Sequence, residues 1–311
     1  MPLIILGNKY KFDQLDIDRL NVKFKKIDFV KITGRSSRDV RKDIETLIST
    51  RSYKYLIINT KATVDPKMIK YLTLLQFRHQ HKKIRIITIE KLLDKYLKKC
   101  YIPDDDRDLK FLNDIRPYNT FELVLKRAVD YAGAFVLLIV HFFIKFYVKK
   151  KIDEQSPGVL YFAQNRVGLN AKIFKCYKFR TMHENSHHNP YTQKGDERVF
   201  EFAEFMRKAR IDEIPQYKNI LNGEMHLIGP RAEWNILVNE YEKEIPYYNE
   251  RHLVRPGITG WAQVNYPYGA NAYDTKQKLM YDLYYIKHWS LWLEILTIVK
   301  TVLVVFGKRG Q

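Results

Sequence analysis

The chain is short of cysteine and of acid. Its two cysteines, Cys100 and Cys176, stand far apart, with no Cys or His at metal-ligand spacing beside them. A disulfide scaffold and a cysteine-based metal site are therefore excluded, and reduced thiols in a cytosolic compartment are expected. Asp and Glu number 35 against 54 Lys and Arg, for a formal net charge of +19 over 311 residues. Such a surface seeks polyanions: nucleic acid, anionic lipid headgroups or phosphorylated substrates. The N-terminal MPLIILGNKYKF carries too short an apolar run for a signal peptide. No G-x-G-x-x-G follows that first run, which holds one glycine, so dinucleotide binding is disfavoured there.

What is present divides the chain. The 46 % hydrophobic content supports a sizeable core and argues against disorder. Over residues 1–100, PLIIL (2–6), FVKIT (29–33), YLIIN (55–59) and IRIITI (84–89) read as strands. SRDVRKDIETLIS (37–49) and DPKMIKYLTLLQF (65–77) have helical spacing, the second opening on Asp65-Pro66. The alternation predicts a small parallel, Rossmann-like α/β domain with a regulatory or interaction role. Residues 101–120 read as a polar linker, in which Asp104-Asp105-Asp106 is a solvated acidic turn.

The most apolar stretch, Ala132 to Tyr147, lies within 126–151 and is interrupted only by His141 and Lys145. A spanning helix needs about 20 mostly apolar residues, and this run falls slightly short. Lys126-Arg127 precede it and Lys149-Lys150-Lys151 follow it, so both flanks suit an anionic cytoplasmic leaflet. The expectation is a membrane helix at about 126–150 that re-enters or lies in the interface, with a buried core helix as the alternative. HWSLWLEILTIVKTVLVVFGKR (288–309) begins with Trp289 and Trp292 and ends on Lys308-Arg309, as an interfacial amphipathic helix does.

Chemistry concentrates in RKARIDEIPQ (207–216). Pro215 suits the first turn of a helix, so Asp212 and Glu213 are expected at a helix N-terminal edge. There the macrodipole and Arg207, Lys208 and Arg210 favour ionised carboxylates. Such a carboxylate can act as a nucleophile or hold Mg²⁺ beside substrate phosphate. Around it stand Arg166 in NRVG, Lys178 and Arg180 in CYKFRTM, Arg231 in LIGPR, and Arg255 in LVRPGITGWAQ. Guanidinium groups clamp phosphate and glycine turns let backbone N–H groups approach it, which suits a diphosphate substrate.

QNRVG, KFRTM, RKARIDEIPQ, GPR and RPGITGWAQ, in that order, resemble the bacterial sugar transferase family, the monotopic polyprenol-phosphate phosphoglycosyl transferases. The resemblance covers about residues 122–306. It implies a mostly α, membrane-associated catalytic domain over 121–311, on the cytoplasmic side of the bacterial inner membrane. The implied reaction moves a sugar-1-phosphate from a UDP-sugar to undecaprenyl phosphate, releasing UMP, as the first membrane step of a surface polysaccharide or glycoconjugate pathway. Asp212 matches the family's nucleophile and Glu213 its Mg²⁺-holding partner. Arg207 and Arg231 match its phosphate-binding arginines, and Lys178, Arg180 and Arg255 are weaker carry-overs, assigned to substrate phosphates or to the fold around them. The family's Ser-Pro helix break has no counterpart in LLIVHFFIKFYVKK, and GPRP reads GPRA with Ala232. Nucleic acid is not an expected partner; a homodimer stays open. Two other readings compete: a non-enzymatic basic protein of membrane surfaces or polyanions, and a glycosyltransferase releasing UDP.

Overall fold

The computed structural model describes residues 2–61, 65–78, 84–104, 115, 118–184, 186, 195–267, 269 and 271–307. Most of the expected 101–120 linker, with Asp105 and Asp106, lies outside them, as do Lys308 and Arg309. The chain forms two compact units, Met1–Tyr101 and Ile102–Gln311.

The first unit runs β1 (Leu3–Leu6), α1 (Gln14–Lys23), β2 (Ile27–Val30), α2 (Ser37–Thr50), β3 (Tyr55–Ile58), α3 (Pro66–Arg78) and β4 (Arg85–Thr88). A short α4 (Ile89–Leu92) continues into a π turn, Leu93–Leu97. The four strands form a parallel sheet in the order β2-β1-β3-β4. All of β1 is buried, as an apolar run in a sheet covered on both faces should be. Ser36 caps α2 and Asp13 caps α1 through side-chain oxygens. Helix α1 escapes a hydrophobic-period reading because only Asp16 and Leu20 of its residues are buried. Asp16 is inside because Lys99 Nζ and Tyr10 Oη both meet its carboxylate at 2.6 Å. Strand β2 starts two residues before the expected FVKIT and ends at Val30.

The second unit opens with α5 (Thr120–Gln155), six residues ahead of the expected start. Asn119 accepts from the Glu122 N–H while Glu122 accepts from the Asn119 N–H, a reciprocal cap that starts the helix there. Lys126, Asp130, Ala134, His141, Val148 and Ile152 are buried, at spacings that keep them on one stripe. His141 stacks on Phe179, while Val148 and Ile152 pack with Phe179, Phe200 and Met206. Each buried aliphatic side chain there contributes about 2 kcal/mol relative to exposure. The opposite face leaves Phe135, Phe142, Phe143 and Phe146 exposed.

Beyond α5 the unit is mostly helical, with two small sheets that position the charged residues. β5 (Tyr161–Val167) and β6 (Ile173–Phe179) pair antiparallel, from Tyr161↔Phe179 to Val167↔Ile173. α6 (Glu201–Lys208) leads to a 3₁₀ turn, Ile211–Gln216, and then to α7 (Tyr217–Leu221). β7 (His226–Ile228) pairs parallel with β8 (Gly257–Thr259), and α8 (Asn235–Glu244) lies between them in sequence. α9 (Trp261–Asn265), α10 (Ala272–Lys287) and α11 (Leu291–Phe306) complete the unit. Lys126 of α5 ties it to α11: its Nζ donates to both Glu294 carboxylate oxygens at 2.9 Å and to the Ile228 carbonyl at 2.6 Å.

The candidate active site

Asp212 and Glu213 sit inside the 3₁₀ turn, not at the edge of a longer α-helix, and α7 behind them has five residues. Pro215 carries no N–H, which a tight turn tolerates better than an α-helical interior. Arg210, in left-handed backbone at φ 58°, swings the chain out of α6 and sets both acids facing inward. Asp212 and Glu213 are 6 % and 5 % exposed, so each charge must be answered by the protein.

The answer is uneven. Glu213 Oε1 accepts from Lys178 Nζ at 2.8 Å and from Arg231 Nη1 at 3.2 Å; Oε2 meets Arg210 Nη1 at 3.5 Å. Burial alone would raise the Glu213 carboxyl, but Lys178, Arg231 and Arg210 reverse this and hold it well below the usual carboxylate range. Among the described residues Asp212 forms an ion pair with Lys178 alone, at 3.8 Å from its Oδ2, and its Oδ1 is buried without a hydrogen-bond partner. Burial raises the Asp212 carboxyl, Lys178 opposes that, and the adjoining Glu213 charge adds to the rise. Glu213 is thus shifted in the direction expected from the surrounding cations, whereas at Asp212 burial outweighs them.

Four cations, Lys178, Arg207, Arg210 and Arg231, bear on the two carboxylates. With both acids ionised, four against two leaves a surplus of two positive charges, the right sign for a diphosphate. Lys178 comes from the end of β6, Arg207 from the last turn of α6, where its Nε donates to Thr181 Oγ1 at 3.1 Å, and Arg231 from the bend after β7. Two carboxylate oxygens keep acceptor capacity, Asp212 Oδ1 and Glu213 Oε2. Among the described residues no group of three His, Cys, Asp or Glu side chains is placed to hold a metal ion.

Two of the expected phosphate ligands lie elsewhere. Arg180 is buried, and its guanidinium donates to Ser156 Oγ, the Ser156 carbonyl, and the Val159 and Met182 carbonyls. It braces the chain leaving α5 and has no donor directed at the dyad. Arg255 donates Nε to the Gly223 carbonyl at 2.6 Å, past the far end of α7. The glycines of GPR and PGITG also differ from expectation. Gly229 N–H is bonded to Thr259 and Gly257 N–H to Pro230, so neither is free to receive a phosphate. A Cβ on Gly257 or Gly260 would overlap the Gly229 backbone; these glycines exist so that two strands can touch.

A buried frame behind Arg231 carries no motif in the sequence. Arg251 donates Nη1 to Tyr248 Oη at 2.8 Å, and Nη2 to Asp282 at 2.9 Å and to the Arg231 carbonyl at 3.0 Å. Burial pushes the Asp282 carboxyl up to about 6 against the pull of Arg251. The only signal for this frame is an aspartate inside the otherwise apolar MYDLYY of α10, where a buried acid requires a partner.

The family model for bacterial sugar transferases matches residues 121–308. The chain belongs to the bacterial sugar transferase family. Among its relatives is a UDP-N-acetylgalactosamine-undecaprenyl-phosphate N-acetylgalactosaminephosphotransferase of Aeromonas hydrophila, 44 % identical over 190 residues, 60 % of this chain and 45 % of the relative. A UDP-glucose:undecaprenyl-phosphate glucose-1-phosphate transferase of Escherichia coli is 35 % identical over 200 residues, 62 % of this chain and 43 % of the relative. An uncharacterized sugar transferase of Bacillus subtilis, EpsL, is 36 % identical over 192 residues, 60 % of this chain and 90 % of the relative. The match thus spans less than half of the two enzymes named for their substrates and nearly all of EpsL. In each case the matched length is close to that of the second unit, and the family match covers Lys178, Arg207, Asp212, Glu213 and Arg231.

Proposed function

We propose that this sugar transferase moves a sugar-1-phosphate from a UDP-sugar to undecaprenyl phosphate, with a phosphosugar bonded to Asp212 between the two half-reactions. The names of the A. hydrophila and E. coli relatives support the substrate classes. The observation that carries the role of Asp212 is its Oδ1, buried, without a donor, and set among cations. That oxygen forms a bond to the sugar-bearing phosphorus as the bridging P–O bond breaks, and UMP leaves with the electron pair. An undecaprenyl phosphate oxygen then attacks the same phosphorus and frees the carboxylate. Lys178, Arg207 and Arg231 offset the anion–anion repulsion and the leaving-group charge.

The donor set suits Mg²⁺, which takes one or two protein carboxylates and completes its shell with phosphate oxygens and water. Asp212 and Glu213 would hold it, each with an oxygen still able to accept. Bound there, it supplies Lewis-acid neutralisation of phosphate charge. The orientation of Glu213 does not wait for the ion, since Lys178 and Arg231 already fix it.

The membrane reading rests on α5. Its buried stripe rests on the protein from Lys126 to Ile152, a rise of roughly 39 Å, longer than the roughly 30 Å hydrocarbon core. A helix attached to a folded body along that length lies in the interface and does not cross. Phe135, Phe142, Phe143 and Phe146 then enter the cytoplasmic leaflet, joined by Trp292 and Leu303 of α11.

The test is incubation of detergent-solubilised protein with Mg²⁺, a short polyprenol phosphate and a panel of UDP-sugars, with UMP and UDP measured separately. UMP release with one donor, lost in Asp212→Asn, is the expected result. UDP release would place the protein among sugar-only transferases. Release undiminished in the variant would remove Asp212 from the chemistry.

A further inference from the structure

Arg127 and Arg255 flank Gly223 at the end of α7 remote from the dyad. Arg255 Nε holds the Gly223 carbonyl, and a Cβ on Gly223 would lie 3.0 Å from Arg127 Nη2. The two guanidinium groups repel: the charge of Arg127 adds to burial in lowering the Arg255 pKa. Among the described residues no carboxylate forms an ion pair with Arg255. The one acid that touches the pair is Asp130, 3.4 Å from Arg127. Its carboxylate also accepts from the Leu227 N–H at 2.8 Å and lies 2.5 Å from His226 Nδ1, so the two guanidinium groups share one carboxylate charge. Glu224, the next acid along the chain, is turned to Asn219 at 2.7 Å, and Lys126 is closed on Glu294.

The surroundings are apolar and open. Val124, Tyr131 and Leu221 are 61 %, 50 % and 46 % exposed, and Arg127 lies over the Tyr131 ring at 5.4 Å. Val124, Arg127 and Tyr131 fall on one side of α5 by their spacing. Two adjacent guanidinium groups short of counter-charge, at the margin of an exposed apolar helix face, match a phosphate that carries acyl chains.

We infer that Arg127 and Arg255 form a headgroup site for an anionic phospholipid, whose phosphodiester lies between the two guanidinium groups and whose acyl chains follow the apolar face of α5. The inference rests on the interfacial placement proposed for that helix. The acceptor's own phosphate fits less well. The five residues of α7, roughly 7.5 Å of rise, and the end of the 3₁₀ turn stand between Asp212 and Gly223, whereas the attacking phosphate must reach the phosphorus on Asp212. A bound lipid would set the depth of the protein in the leaflet, and with it the height of the dyad above the acceptor's phosphate.

The test is native mass spectrometry of the full chain in detergent, titrated with phosphatidylglycerol or with phosphatidylcholine. Phosphatidylglycerol is expected to bind the tighter. The double variant Arg127→Gln/Arg255→Gln should lose phosphatidylglycerol affinity by roughly 30-fold, at about tenfold per 1.4 kcal/mol, with phosphatidylcholine unchanged. Arg127→Lys/Arg255→Lys should keep most of the preference, which separates lost charge from lost fold. Equal binding of the two lipids by the unaltered protein would overturn the site, as would a full preference in the Gln variant. A raised KM for undecaprenyl phosphate with lipid binding intact would assign the pair to the acceptor and overturn it too. If no donor yields UMP, the transfer reaction falls, but the lipid titration still stands or fails by itself.

Discussion

Replacing Lys178 with Met separates two roles that a cation beside a carboxylate pair can have: tuning the nucleophile or gripping phosphate. Lys178 Nζ is 3.8 Å from Asp212 Oδ2 and 2.8 Å from Glu213 Oε1. Unit charges 3.8 Å apart attract by about 4 kcal/mol at an effective dielectric of about 20. In the proposed mechanism Asp212 must be ionised to attack; burial opposes its ionisation, and Lys178 is the strongest influence against that burial effect. At about 1.4 kcal/mol per tenfold, loss of that attraction lowers single-turnover UMP release at pH 7 by up to about 10³. The sign is fixed by the group: with the lysine gone, the carboxyl keeps its proton to higher pH, so activity recovers as pH rises. Rapid-quench measurement of UMP from pH 5 to 9.5 reads this as an upward move of the acidic limb. Lys178→Arg, which keeps the charge, should leave the limb nearly in place. A drop of equal size at every pH, with the limb unmoved, would refute electrostatic tuning and leave Lys178 as a phosphate ligand.

Two further predictions concern buried charge. Burial lowers the His226 pKa to about 4, from an ordinary 6.5, so its imidazole is neutral in the native state. Between pH 6.5 and 4 only the unfolded chain takes up this proton, and about 3 kcal/mol of stability is lost across that window. The stability gap between the parent and His226→Asn should therefore narrow as pH falls in denaturant titrations, and a constant gap would count against it. Glu294→Gln leaves Lys126 buried without its counter-charge and should cost about 3–5 kcal/mol. Lys126→Met/Glu294→Met should cost much less than the two single changes summed; strict additivity in thermal melts would show the pair uncoupled.

The sequence exposed those elements whose rules are local. Alternating apolar runs located the parallel sheet to within three residues, since a covered sheet imposes buried strands on its sequence. The start of α5 could also have been found: N-T-F-E at 119–122 is a capping box, yet the apolar run from Ala132 draws attention past it. That Lys178 and the two acids stand together was legible through motif order. The sequence left Arg180 between substrate and fold because a motif arginine looks the same whether it holds phosphate or four groups of its own chain. The glycines of GPR and PGITG gave the right residue for the wrong cause: close approach of two strands and anion binding both demand a missing Cβ. Asp212's raised pKa could not be read at all, because burial depends on β6, α6 and the bend after β7 closing over the turn together. Arg251 and Asp282 lie 31 positions apart, and nothing local connects them.

The buried contact between Lys126 and Glu294 also orders events in time. The two residues are 168 positions apart. At about 5–20 residues per second, a ribosome needs roughly 8–34 s to make the second after the first. Throughout that interval α5 is complete but Lys126 lacks Glu294, and the phenylalanines of α5 have no later part of the chain beside them. If α5 lies in the interface as proposed, the growing chain would settle on the bilayer first and close the body around the dyad afterwards, making the membrane the surface on which folding finishes.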